Sequence, residues 1–191
     1  MAIKNSILFW QPKKDWLLWF ESNSKRKKTL IVLNYLIWIF FFYLSYLLVK
    51  ENTNVFWQIL FATIIAEVLE RFLKSKIYWR RPLFEKNDEL PPGLVSSWYK
   101  TGAFPSGHTI KTIYFLFFIL QYQVFPLPVF LLIVLPLLFF RVAVGFHYPI
   151  DILGGVIAGF IVWLSSRWIM LPTNITQIIR NIFNFIFRIQ S

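Results

Sequence analysis

The sequence contains no cysteine, which removes disulfides, thiol nucleophiles and thiolate metal sites from consideration at once. Histidine occurs only twice, so any histidine chemistry has two places to reside. Acidic residues are scarce as well: nine, against twenty lysines and arginines, leave a formal charge of +11. That excess favours anionic partners such as lipid headgroups or an anionic substrate. Nucleic acid is the poorer partner because 57% of the residues are hydrophobic. What is abundant decides the class. With that apolar fraction, 20% aromatics and a mean hydropathy of +0.57, a soluble globule of 22.9 kDa has too little interior to hide its apolar surface. Apolar blocks of about 20 residues recur instead, each long enough to cross a hydrocarbon core of roughly 30 Å. The predicted fold is all-α, a polytopic transmembrane helical bundle.

Five spans are predicted, near residues 30–49, 55–73, 106–125, 127–140 and 149–168. The second carries Glu67, Glu70 and Arg71 near its end, and charges at that depth should face the bundle or a wet cavity. Pro128 and Pro136 should kink the fourth, and Gly154, Gly155 and Gly159 give the fifth a smooth face for close packing. An amphipathic interfacial segment is expected at either end. Residues 7–20 are rich in Trp and broken by Pro12, Lys13 and Lys14; crossing here would raise the count to six, but the stretch is short. It also has too short an apolar core for a cleavable signal peptide, so the N-terminus should be retained. Residues 173–190 place Gln177, Asn181, Asn184 and Arg188 on one helical stripe. No internal repeat or low-complexity tract divides the chain, which reads as a single membrane-embedded domain over residues 1–191.

Three polar blocks interrupt this apolar chain, and an alternating path puts all three at the same membrane face. The first is Lys74 followed, after six residues, by Arg81-Pro82, with Arg80 adjacent. Lysine gives a point charge and arginine a planar fork, together suited to phosphate oxygens. Alone, the block is more simply a basic cluster that marks orientation or touches anionic lipid. The second is Pro105-Ser106-Gly107-His108 at the mouth of the third span. There Ser106 can cap the helix, Gly107 lets the backbone come close, and the first-turn amides form an anion seat beside an imidazole. An ordinary Pro-Ser-Gly turn is the alternative. The third is Arg141, then His147, then Asp151. Pro149 suits a first helical turn, so Asp151 can reach back to His147 and fix its tautomer, as an orienting carboxylate does. A capping Asp beside an interfacial His is the plainer account of that block by itself. Both histidines fall inside the blocks, however. Together the three supply a nucleophile, an acid and cations for equatorial oxygens, the inventory of covalent phosphoryl transfer without a required metal.

In this order the blocks resemble the three-part signature of the type 2 phosphatidic acid phosphatase family, membrane lipid phosphatases related to vanadium haloperoxidases. The match covers residues 74–151. The family's third motif normally begins Ser-Arg, whereas Phe140 precedes Arg141 here, which removes a hydroxyl but no catalytic position. The resemblance implies that His147 attacks phosphorus, Asp151 orients it, and His108 protonates the leaving lipid oxygen and then activates water. Lys74, Arg81 and Arg141, with Ser106 and the Gly107 N–H, would hold the phosphate. No metal or other cofactor is implied. Related bacterial enzymes act on undecaprenyl diphosphate, phosphatidylglycerophosphate, phosphatidate or lipid A 1-phosphate, and the motifs read phosphate rather than lipid.

Lipid choice is expected from residues 83–104, the loop long enough for a lid, from Glu67, Glu70 and the N-terminal aromatic stretch, and from Arg80, Lys86, Lys100 and Lys111 as headgroup contacts favouring more than one negative charge. Glu70 stands at i,i+4 from Lys74 and pairs naturally with it. Positive charge at residues 25–28 lies on the same side as the blocks, which by the positive-inside rule puts the site in the cytoplasm. Several of those charges are catalytic candidates, and bacterial relatives usually work on the outer face of the inner membrane. The outer, periplasmic face is therefore expected. Rivals at the same site are a lipid phosphotransferase, a vanadate-dependent haloperoxidase, whose relatives are soluble, and a non-catalytic lipid-phosphate binder.

Overall fold

Helices occupy the apolar runs in the order the hydropathy predicts. The computed structural model describes residues 6–13, 23–82 and 101–187, and among these it has six α-helices, one 3-10 turn (Ile7–Phe9) and no strand. The helices are α1 (Ser24–Glu51), α2 (Val55–Ser75), α3 (Gly107–Tyr122), α4 (Leu127–Ala143), α5 (Pro149–Ser166) and α6 (Thr173–Phe187). Residues 14–20 of the N-terminal stretch, the loop through residue 100 with Lys86 and Lys100, and Arg188 lie outside the described residues.

Two of the boundaries that differ from expectation concern basic residues. Helix α1 starts at Ser24, where the Asn23 side chain accepts the Lys25 N–H at 2.9 Å, so the basic run belongs to the helix. Helix α4 passes residue 140 and ends at Ala143, carrying Arg141 in its last turn, with Pro136 inside it. The span count stands differently too. By length and composition, Pro149–Ser166 is the one described helix able to cross a membrane, and Leu127–Ala143 is apolar but a residue short of that length.

Helix α3 is the centre, packed on α5, α2, α4 and α1. Its closest partner is α5, for the reason the glycines suggest. A Cβ at Gly155 would lie 2.6 Å from Thr109 Cβ, and one at Gly159 would lie 2.6 Å from the Ile110 carbonyl oxygen. The buried core is aromatic and aliphatic, with Phe41 of α1 stacked on Phe115 of α3 at 4.8 Å. The outside is apolar as well: Phe42 on α1, Leu132 and Phe139 on α4 and Ile157 on α5 are all exposed. At the far end of the chain, α6 presents Phe183 and Phe187 to Tyr46 of α1, with ring centroids 5.7 and 4.8 Å apart.

Candidate active site

The first block is delivered by a chain reversal. Helix α2 ends just past Lys74, Ile77 takes a left-handed conformation (φ 45°), and both Ile77 and Gly102 donate their N–H to the Lys74 carbonyl at 3.3 and 3.1 Å. A bulky β-branched residue rarely adopts that φ. Ala103 N–H then bonds the Trp79 carbonyl at 3.1 Å, so residues 102–103 clamp the first block against the start of the second. Arg81, 3% exposed, donates from one terminal nitrogen to the Phe146 carbonyl at 3.1 Å and lies 3.3 Å from His147 Nε2.

The second block is tied to the third through the backbone, by a hydrogen bond from Ser106 N–H to the Asp151 carbonyl at 3.0 Å. Ser106 does occupy the N-cap of α3, but its side chain makes no cap bond. Its hydroxyl is instead buried without a hydrogen-bond partner among the described residues, which is a correction to the capping expectation. Gly107 is buried, and the space a side chain would fill there holds the Glu70 carboxylate. His108, half-buried, meets the ring of Trp38 at 5.6 Å and shares a small cavity with Arg141, Phe140 and Phe146, walled by α1 and α4.

The third block is built by a turn at the end of α4. Gly145 has φ 75°, which suits glycine, and it lets Phe146 N–H and His147 N–H both return to the Arg141 carbonyl at 2.9 and 3.2 Å. That hook holds His147 inside the bundle, 1% exposed. Asp151, in the first turn of α5, is surrounded by donors. Its Oδ2 lies 3.3 Å from His147 Nδ1 and accepts the Tyr148 N–H at 2.8 Å; its Oδ1 accepts the Trp79 indole N–H at 2.9 Å. Phe9 of the N-terminal 3-10 turn packs on Trp79 and Tyr148 from outside, at 5.1 and 5.4 Å.

These contacts assign the tautomer. A guanidinium can only donate, so His147 Nε2 accepts from Arg81, and the ring proton sits on Nδ1, facing Asp151. Burial, and after it the charges of Arg81, Arg141, Lys74 and His108, push the His147 pKa well below 6.5 and keep the imidazole neutral. Burial also lowers Arg81 to about 10, against the opposing pull of Asp151 and Glu70, so it remains a cation at neutral pH.

This has a measurable consequence for stability. Below the ordinary histidine pKa of 6.5 the unfolded chain gains a proton that folded His147 does not take up, so stability falls as the pH drops through that range. Above it, folded and unfolded imidazoles are alike and the contribution is flat. Thermal melting of wild type and His147→Gln between about pH 8 and pH 5 should show a larger acid loss in the wild type. Equal losses would contradict the burial of a neutral imidazole.

The predicted residues are thus largely brought together: Arg81, His147 and Asp151 in direct contact, Ser106 bonded to the Asp151 backbone, and His108 beside Arg141. Lys74 is held by Glu70 one helical turn away. The headgroup candidates are dispersed. Arg80 is exposed, whereas Lys111 is 2% exposed, lies 2.8 Å from Glu67 and 3.2 Å from Glu70, and has its ammonium 5.0 Å from the centre of the Trp38 ring. Two carboxylates therefore engage the lysine that the sequence assigns to a headgroup. Three contributors escape the sequence reading: Trp79, Gly145 and the packing of Glu70 on Gly107. An indole inside the basic block and a glycine two residues before His147 were the available signals.

The PAP2 superfamily model matches residues 55–174, well over half of the sequence and all three blocks. The chain belongs to the PAP2 superfamily, and its chemistry is that of a phosphatase acting on phosphate esters. No curated protein and no solved structure matches it.

Proposed function

We propose that the chain is an integral membrane lipid phosphatase that removes phosphate from a lipid phosphomonoester or diphosphate through a phosphohistidine. The observation that carries this reading is the environment of His147: a neutral imidazole, its Nδ1–H directed at Asp151 and its Nε2 lone pair directed at a guanidinium. A phosphate that meets Arg81 at this point also meets the nucleophile. His147 Nε2 attacks phosphorus, forming a P–N bond as the P–O bond to the leaving group breaks. His108, in its protonated form, gives its proton to the departing oxygen. Neutral His108 then takes a proton from water, whose oxygen attacks phosphorus and breaks the P–N bond, releasing inorganic phosphate. Lys74, Arg81 and Arg141, with the Ser106 hydroxyl and the Gly107 N–H, hold the equatorial oxygens, where preorganised donors contribute about 2.7–4 kcal/mol apiece in acyl-transfer precedents.

The lipid character of the substrate is supported by the apolar exterior and by the walls of the site. Leu33, Ile37 and Leu137 border the cavity that holds His108 and Arg141. A wider apolar groove of about 700 Å³ runs between the 3-10 turn, α4 and α5 and reaches Pro149, two residues past His147, where a hydrocarbon chain would lie. We read α1 to α5 as five membrane spans within one domain over residues 1–191, with the site at the outer face of a bacterial inner membrane. Undecaprenyl diphosphate, phosphatidylglycerophosphate, phosphatidate and lipid A 1-phosphate are the proposed substrate class.

The test is phosphate release by the detergent-solubilised protein from a panel of these lipids, with and without chelator, followed by product analysis in the presence of acceptor lipids. Release into water that is indifferent to chelator supports the proposal. Phosphate recovered on a second lipid would make the protein a phosphotransferase. Binding without turnover by folded protein would leave the non-catalytic binder.

A further inference from the structure

We infer that Glu70 is the positioning residue for Lys74, and that position 107 is glycine because the Glu70 carboxylate occupies the place of its side chain. The inference rests on the phosphatase reading only insofar as Lys74 meets the phosphate. Glu70 lies one helical turn before Lys74 on α2, and its Oε1 takes the Lys74 ammonium. Its Oε2 accepts from Lys111 of α3 at 3.2 Å. Lys111 is in turn anchored by Glu67 at 2.8 Å, so the carboxylate is gripped from two helices. Side-chain exposure is 17% for Glu70, 14% for Lys74 and 3% for Lys111, which leaves little water to compete with these bonds.

The third contact is steric. A Cβ built at Gly107 would lie 1.9 Å from Glu70 Oε2 and 2.1 Å from Cδ. An alanine there must evict the carboxylate, and eviction releases Lys74 and strips Lys111 of one partner. The glycine of the second block is thereby coupled to the lysine of the first, although the two residues share no direct bond. The sequence alone suggests a different purpose for Gly107, close approach of backbone to ligand. The two accounts predict different epistasis.

A double-mutant cycle on the full-length, detergent-solubilised protein separates them. Wild type, Glu70→Ala, Gly107→Ala and the double variant are compared in kcat, KM and inhibition by inorganic phosphate, with melting temperatures recorded beside them. Loss of one charged hydrogen bond to the phosphate-holding lysine should raise KM and the phosphate inhibition constant roughly tenfold or more in Glu70→Ala. Gly107→Ala should reproduce that loss. The double variant should be no worse than Glu70→Ala, because the new methyl group then meets vacated space. Multiplying losses would overturn the inference and return Gly107 to backbone approach. Unchanged KM and phosphate inhibition in folded Glu70→Ala would overturn it as well. Should Glu70→Ala fail to fold, Glu70→Ser, which also vacates the space, takes its place in the cycle, and Glu70→Gln, which keeps the shape without the charge, carries the KM and phosphate-inhibition prediction at reduced size. If the wild type releases no phosphate from any lipid, the phosphatase reading fails on its own. The cycle is then scored by binding of inorganic phosphate, where additive losses still overturn the coupling.

Discussion

A His147→Ala protein should release phosphate at least about 10⁴-fold more slowly than wild type while binding inorganic phosphate with little change. The asymmetry follows from the layout of the site. Arg81 is held independently by the Phe146 carbonyl at 3.1 Å, Lys74 by Glu70, and Arg141 by its place at the end of α4, so the cationic cradle survives loss of the ring. What disappears is the lone pair on Nε2, and no other described imidazole can replace it: His108 sits in the first turn of α3, against Trp38. Rapid quenching during turnover should trap an acid-labile, base-stable phosphoenzyme in the wild type and none in the variant. Substantial turnover by His147→Ala, or a phosphoenzyme with acyl phosphate stability, would move the nucleophile elsewhere and overturn the assignment.

Asp151→Asn should be nearly as damaging, with a loss of about 10³–10⁴ in kcat and a modest change in KM. The carboxylate accepts from three donors: the Trp79 indole on one oxygen, and the Tyr148 N–H and the His147 ring on the other. An amide has one accepting oxygen. If that oxygen stays toward His147, the NH₂ group confronts the Trp79 N–H, leaving two buried donors facing each other. If it turns toward Trp79, the NH₂ group faces Nδ1 and drives the ring proton to Nε2, which abolishes the nucleophile. Pairing Asp151→Asn with Trp79→Phe distinguishes the two. Removal of the indole donor frees the first orientation and should recover a measurable part of the activity. A single Asp151→Asn variant with wild-type kcat would show that the tautomer is fixed by other means.

The parts of the site legible in the sequence are those encoded by short spacings. Pro149 opening α5 puts Asp151 within reach of His147 through local helix geometry, and the two meet in the fold. The helix order follows from apolar run length, and a close-packing face on α5 from its glycines, while its partner α3 is seen only in the fold. What stayed hidden depends on contacts distant in the chain. Trp79 reaches Asp151 because the chain reverses at Ile77 and pairs with residues 102–103, and a left-handed isoleucine gives no sequence signal of a turn. Lys111 reads as a headgroup contact because its apolar surroundings on α3 do not reveal that Glu67 and Glu70 of α2 face it. The Ser106 hydroxyl reads as a cap because serine before a helix usually caps it, yet here the helix starts without it.

Arg141 illustrates a division of labour within one residue. Its carbonyl oxygen, through the turn at Gly145, receives the Phe146 and His147 N–H groups, while its side chain is the cation beside His108. Backbone atoms are the same in every residue, so the hydrogen bonds of this turn do not depend on the side chain at position 141, whose guanidinium meets the turn over the Phe146 ring, at 5.6 Å. Loss of the charge at this corner should therefore weaken the hold on the phosphate while the turn that delivers the imidazole keeps its backbone bonds. A scaffold wired in this way can change its grip on the phosphate without moving its nucleophile.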